Sequence, residues 1–358
     1  MGRTPPMRRR RLVAMATAGL VTAALGLTGC AGDSGSGGDP TYVTLITKDP
    51  DNHFWTAMVE GAKTAAKQSN VEITTAAGRD QSDADGQIRA IEDAISRGDD
   101  AILIANNGPA VNDAIKRARD AGIYVLALDT PTEPADLVDG TLASDNFEAG
   151  QLVGKWAAGA LDGKKATIAL LDLFADKVVT VDYQRDQGFL SGMGIDTKDR
   201  KKNGDEAKTG AYSGGDYQIA CNQATNGAED GGRSAMENCL SLNKDINVVF
   251  TANETSGVGA AQALKAAGNT GALLVSIDGS CGGVKSVTEG SFGAVAQQYP
   301  SEMGRLGVEA VVKHLRDGVN PTPSEGLDFV NTGVRLVTDK AVNGIESISS
   351  AEGAKKCW

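Results

Sequence analysis

One arrangement occurs twice in this 358-residue chain, and the repetition restricts the fold more than any other feature. Ala101-Ile-Leu-Ile-Ala-Asn106 leads through a helical stretch to Ala121-Gly122 and then to Tyr124-Val-Leu-Ala-Leu-Asp129. Asn247-Val-Val-Phe-Thr-Ala-Asn253 leads through a second to Ala267-Gly268 and then to Leu273-Leu-Val-Ser-Ile-Asp278. Each unit reads strand, Asn, helix, Ala-Gly, strand, Asp, with Asn-to-Asp separations of 23 and 25 residues. Unbroken apolar runs of strand length are strands buried on both faces, which belong to parallel sheets covered by helices. The same alternation runs from Tyr42 to Asp317, which predicts an α/β chain of two Rossmann-like lobes. The length agrees, since one core rarely grows past about 250–300 residues. Ile195 to Gln218 is charged and Gly-rich, and reads as a surface insertion.

Open parallel sheets bind ligands beyond the carboxyl ends of their strands. Asn106, Asp129, Asn253 and Asp278 all fall there, so two facing lobes would present them to one small molecule. Helix N-capping is the competing role for such residues; the duplicated placement favours binding.

The N-terminal segment has a different character. Residues 1–29 carry five arginines and no acid, followed by an apolar stretch from Leu12 to Leu27. That is the pattern of an export signal, and it is shorter than the roughly 20 apolar residues of a spanning helix. Leu27-Thr28-Gly29-Cys30 resembles a bacterial lipobox, with Cys30 the acylated residue. Residues 30–40 are rich in Gly, Ser and Asp and read as a flexible tether from the lipid to the folded body. The chain is thus expected outside the cytoplasm, anchored to a membrane without spanning it.

The net charge of −11 becomes −16 once residues 1–29 are removed, which argues against nucleic acid as a partner. Two histidines, His53 and His314, leave little scope for imidazole catalysis, and no cysteine pair or HExxH spacing points to a metal. No metal and no cofactor is expected. Gln81 to Glu92 partly matches a calcium loop, but Ile88, Ile91 and Ile95 share a helical face, so a helix from Ala84 is expected instead. Gly257-Val-Gly259 lacks the third small residue of a dinucleotide fingerprint. Outside the cytoplasm cysteines can pair. Beyond Cys30 there remain Cys221, Cys239, Cys281 and Cys357, with three possible connectivities, of which the spacing favours Cys221–Cys239 and Cys281–Cys357.

The first strand runs into Thr47-Lys-Asp-Pro-Asp51-Asn52-His53-Phe54-Trp55. With only 4% aromatics in the chain, Phe54 and Trp55 at a strand's carboxyl end mark a ligand platform. Sugar rings have apolar C–H faces that pack on such planes, and hydroxyl edges that pair with Asp, Asn, Arg and Gln.

These residues carry a resemblance. ITKDPDNHFW (46–55), LALDTPTEPAD (126–136), LASDNFEAGQLVGKW (142–156), VDYQRDQGF (181–189), INVVFTANE (246–254), SIDGSCGGVK (276–285) and AKKCW (354–358) together resemble a type I periplasmic-binding-protein sugar receptor of an ABC importer, most like the fructose-binding branch. The resemblance spans most of residues 41–358. It implies ligand contacts from Asn52, Phe54, Trp55, Asp129, Asp145, Asn146, Tyr183, Arg185, Asn253, Asp278 and Gln298, with Asn106, or Asn107 beside it, less firmly aligned. Ribose-type members carry Arg where Thr130 and Tyr183 stand here, which favours a hexose over an aldopentose. It implies an N-lobe of 41–143 plus 299–328, a C-lobe of 144–298 plus 329–358, and a three-segment hinge that closes on ligand. The implied partners are a monosaccharide and an ABC permease with its cytoplasmic ATPase, with the receptor a monomer. A sensor of the same fold, signalling to a membrane kinase or chemoreceptor, would need the same features. An enzyme is not implied.

Overall fold

Val43 to Thr47 of the first strand are buried without a break, as expected of a strand with helices on both faces. The computed structural model describes residues 39–358; the export segment, Cys30 and most of the tether lie outside the described residues. The first lobe runs β1 (Thr41–Thr47), α1 (His53–Gln68), β2 (Val71–Ala77), α2 (Ala84–Arg97), β3 (Ala101–Ile104), α3 (Asn112–Asp120), β4 (Tyr124–Leu128) and β5 (Gly140–Ala143). The second continues with α4 (Asn146–Ala160), β6 (Ala166–Asp172), α5 (Thr180–Met193), β7 (Thr209–Tyr212), β8 (Gly215–Ala224), α6 (Glu229–Leu242), β9 (Val248–Thr251), α7 (Glu254–Ala266), β10 (Leu273–Asp278), α8 (Cys281–Glu289) and β11 (Ala294–Gln297). The chain then returns with α9 (Pro300–Asp317) and β12 (Val330–Asn331), and crosses once more to β13 (Arg335–Val337) and α10 (Ser350–Gly353).

The strands form two sheets, in the orders β12-β5-β4-β3-β1-β2 and β13-β11-β10-β9-β6-β8-β7. The first is parallel throughout, and the second is parallel except for its edge strands β13 and β7. This is the two-lobed α/β fold that the repeated unit predicts. Two expectations are corrected. The stretch read as an insertion ends in β8, a full strand of the second sheet with Tyr217, Ile219 and Cys221 buried at alternate positions. The polar residues between them mask the strand, because the open face of β8 remains half-exposed. The third crossover also falls later than 328, since Val330 and Asn331 pair with Leu142 and Ala143 of the first sheet.

Helix Ala84–Arg97 is capped by Asp83, whose side chain accepts from the Gly86 N–H, so the helical reading holds over the calcium loop. Cys221–Cys239 and Cys281–Cys357 are both formed. By loop closure, separations of 18 and 76 residues correspond to about 3 and about 4.5 kcal/mol of stabilisation.

Helices α4 and α5 pack backbone to backbone, and this positions the site. A Cβ on Gly150, Gly154, Gly188 or Gly192 would lie 2.2–2.4 Å from a carbonyl oxygen of the facing helix. The close approach brings Arg185 on α5 to Asn146 at the start of α4, with Nε donating to Oδ1 at 2.8 Å.

Candidate functional site

The first lobe contributes one wall. The Asn52 side chain caps α1, accepting from the Phe54 N–H at 2.9 Å, which starts the helix with both aromatics in its first turn. The rings of Phe54 and Trp55 meet edge to face at 4.8 Å. Lys48, the residue after β1, holds its ammonium 5.5 Å from the centre of the Trp55 ring and 4.0 Å from Asp129 Oδ2. Burial disfavours its charge and lowers its pKa to about 8, with Asp129 acting in the opposite direction. Asp129 follows β4 with a left-handed backbone, φ 63°, and accepts from the Thr130 hydroxyl at 2.7 Å. The indole N–H of Trp55 is buried with no partner among the described residues.

The second lobe supplies the other wall. Arg185 donates to Asn146 and to the Ala252 carbonyl, both at 2.8 Å, and lies 3.6 Å from Asp278 Oδ1. Asp278 ends β10 with φ 129°, and accepts from the Glu254 N–H at 3.1 Å and from Gln298 Nε2 at 3.0 Å. Burial raises its pKa to about 7, against the pull of Arg185, and Glu254 adds to the rise. Asn253 caps α7 through the Ser256 N–H and donates to the Gly227 carbonyl at 2.9 Å.

Lys48, Asn52, Phe54, Trp55, Gln81, Asp129, Leu173, Val181, Arg185, Asn253 and Asp278 enclose one cavity between the lobes, about 30 Å³ in volume. Seven of these are residues that the sequence singles out. Lys48, Gln81, Leu173 and Val181 are not, although Lys48 and Leu173 each directly follow a strand, the position at which such folds place ligand groups. The cavity shares Asn52, Gln81 and Asp278 with an outer crevice of about 610 Å³. Asp49, Asp51, Asp80, Asp176 and Glu229 line that crevice, and no lysine or arginine does. The smaller inner space is therefore the better site for a neutral ligand, because acids, cations and aromatic faces converge there.

The remaining candidates lie outside the inner lining. Asn146 and Gln298 stand behind it as hydrogen-bond partners of Arg185 and Asp278. Asp145 caps α4 at the first crossover and donates its N–H to Asn331. Asn106 is bonded to the Thr130 carbonyl and the Gly108 N–H, whereas both side-chain polar atoms of buried Asn107 lack partners among the described residues. Tyr183 lines a separate cavity with Lys201 and Lys202. Capping does not remove a residue from the cavity, since Asn52 and Asn253 both cap helices and line it. Among the described residues no group of acids, histidines or cysteines is arranged to hold a metal ion.

Comparison with known proteins agrees with this architecture. Residues 43–318 match the periplasmic binding protein domain, and the chain belongs to that family. It is 25% identical over 276 residues to the ribose import binding protein of Salmonella typhimurium, covering 76% of this chain and 84% of the relative. It is 29% identical over 340 residues to a xylitol-binding protein of Mycolicibacterium smegmatis, covering 92% and 90%. An ABC transporter solute binding protein from Agrobacterium vitis, solved with bound D-fucose, superposes with a TM-score of 0.72 at 25% identity, covering 88% of this chain and all of that one.

Proposed function

We propose that this protein captures a monosaccharide between its lobes outside the cytoplasm and delivers it to an ABC permease driven by a cytoplasmic ATPase. The observation that carries the reading is the pair of facing acid–cation couples, Lys48 with Asp129 and Arg185 with Asp278, beside the Trp55 ring. Carboxylates accept from vicinal hydroxyls, the ammonium and guanidinium donate to them, and the indole face covers the C–H side of the ring. The named relatives are a ribose import binding protein, a xylitol-binding protein and a fucose-bound transport protein, which supports a polyhydroxylated ligand. The chain is a binding protein and not an enzyme, as those relatives are. The ligand is fructose or a similar hexose, a reading supported by the lack of arginine at Thr130 and Tyr183. Closure requires contacts to both lobes at once, which the two couples supply. The inner cavity is far smaller than the roughly 300–1,000 Å³ of an ordinary ligand pocket, so a ring enters only as the lobes part, and the lining side chains must give way as the lobes reclose around it.

The protein acts as a monomer tethered through lipidated Cys30. No helix among the described residues is long and apolar enough to cross a membrane. A thermal-shift panel of ketoses, aldohexoses, aldopentoses and pentitols tests the assignment. Stabilisation is expected from a ketohexose or a near relative, and silence across the panel would remove the sugar reading.

A further inference from the structure

Trp358 belongs to the second lobe by its bonds and to the first by its ring. Its neighbour Cys357 is joined to Cys281 at the start of α8. The Trp358 carbonyl accepts from the Cys281 N–H at 3.1 Å, and its indole Nε1 donates to the Gln298 carbonyl at 3.0 Å. Gln298 is in turn fixed to Asp278, with its N–H donating to the Asp278 carbonyl at 2.8 Å and Nε2 to the carboxylate at 3.0 Å. The indole is therefore rigid in the frame of Asp278. Its ring nevertheless meets Phe54 of α1 edge to face, with centroids 5.2 Å apart and planes at 87°. It packs on the hydrophobic cluster of the first lobe. Phe54 then touches Trp55 in the same manner at 4.8 Å.

The two walls of the inner cavity are thus joined through Asp278, Gln298, Trp358, Phe54 and Trp55. Trp358 does not line the inner cavity; it lines the outer crevice beside Asn52 and Ser280. Any influence on the ligand must therefore pass through Phe54. An edge-to-face pair between rigid bodies is lost when those bodies rotate apart, so the contact stabilises the closed arrangement specifically.

We propose that Trp358, seated by the Cys281–Cys357 disulfide, is a positioning residue that clamps Phe54 and holds the lobes closed around the ligand. The proposal rests on the sugar-site reading of the cavity, and its test includes a measurement that does not. Affinity for the sugar found in the panel is titrated for the unsubstituted protein, for Trp358→Ala, for Trp358→Phe and for the double variant Cys281→Ser/Cys357→Ser. In parallel, the interlobe distance is measured in the unliganded protein and in Trp358→Ala by pulsed electron paramagnetic resonance, with spin labels at Asp51→Cys and Glu229→Cys on opposite lips of the crevice. The clamp predicts an affinity about tenfold weaker for Trp358→Ala, a similar loss for the disulfide double variant although its tryptophan is intact, and partial recovery in Trp358→Phe, which keeps a ring against Phe54 but loses the bond to the Gln298 carbonyl. It also predicts longer interlobe distances in Trp358→Ala. Unchanged affinity or unchanged distances in Trp358→Ala overturn it, as does full affinity in the disulfide variant or no recovery with phenylalanine. If the unsubstituted protein binds no sugar, the sugar reading fails by itself and the clamp is decided by the distances alone.

Discussion

Asp129 and Asp278 occupy the same place in the two lobes, each at the carboxyl end of a strand with positive φ and each beside a buried cation of its own lobe. Such backbone values are uncommon for residues with a side chain, and they cost energy that a function can justify. Here the strained turns aim two carboxylates into one cavity from opposite walls. A charge-assisted hydrogen bond contributes about 1.5–3 kcal/mol, and removing one partner of a buried couple leaves the other uncompensated. Asp278→Ala and Asp129→Ala should therefore each weaken sugar binding by about 100-fold or more while the far-ultraviolet circular dichroism stays unchanged. Micromolar binding retained by either variant would mean that the ligand sits elsewhere.

The second lobe is expected to lose stability as pH rises. Asp172, Asp182, Asp186 and Glu206 are all buried in the second lobe. Burial raises Asp182 to about 6 and Asp278 to about 7; burial with repulsion from Asp186 and Asp182 raises Asp172, and burial with repulsion from Glu206 and Asp182 raises Asp186. A carboxyl whose pKa is raised in the folded state binds more protons there than when unfolded, so its stabilisation is complete at acid pH and fades through the folded value. The unliganded melting temperature should fall between about pH 5 and pH 8. Asp186→Asn, which fixes the uncharged form, should flatten that slope. A melting temperature that rises over this interval would contradict the assignment.

The fit of α4 against α5 sets the position of Arg185. A Cβ at Gly154 would stand 2.2 Å from the Phe189 carbonyl oxygen, and one at Gly188 2.3 Å from that of Phe147. Gly154→Ala or Gly188→Ala forces the helices apart and should destabilise the protein by about 1–3 kcal/mol. Sugar affinity should fall as well, because Arg185 moves relative to Asn146 and Asp278. Urea unfolding combined with a binding titration measures both, and an unaffected midpoint would show that the helices can yield freely.

Much of this was legible in the residues. The repeated strand–Asn–helix–strand–Asp unit is read directly from apolar runs, and β3, β4, β9 and β10 fall where it places them. Strand β8 is masked because one face is half-exposed and polar, and its first buried residue, Tyr217, falls at the end of a charged stretch. Strand β12 has two residues, too few for any period to show. Lys48 carries no signal in the sequence, because an isolated lysine is normally solvated, whereas here it is 4% exposed and opposite Asp129. Tyr183 lies two residues before Arg185 on α5, so the two side chains leave different faces of the helix and Tyr183 lines a different cavity.

The thiol of Cys30 is the proposed site of acylation. Cys30→Ser should abolish incorporation of labelled palmitate and shift the protein from the membrane fraction to the soluble one. Continued labelling of the serine variant would refute the lipid attachment.

Isothermal titration of the purified protein with D-fructose tests the central claim most directly. One site per chain and a dissociation constant of about micromolar, roughly −8 kcal/mol, are expected, with the signal lost in Asp278→Ala. An absence of binding heat with fructose and with every other monosaccharide of the panel would contradict it.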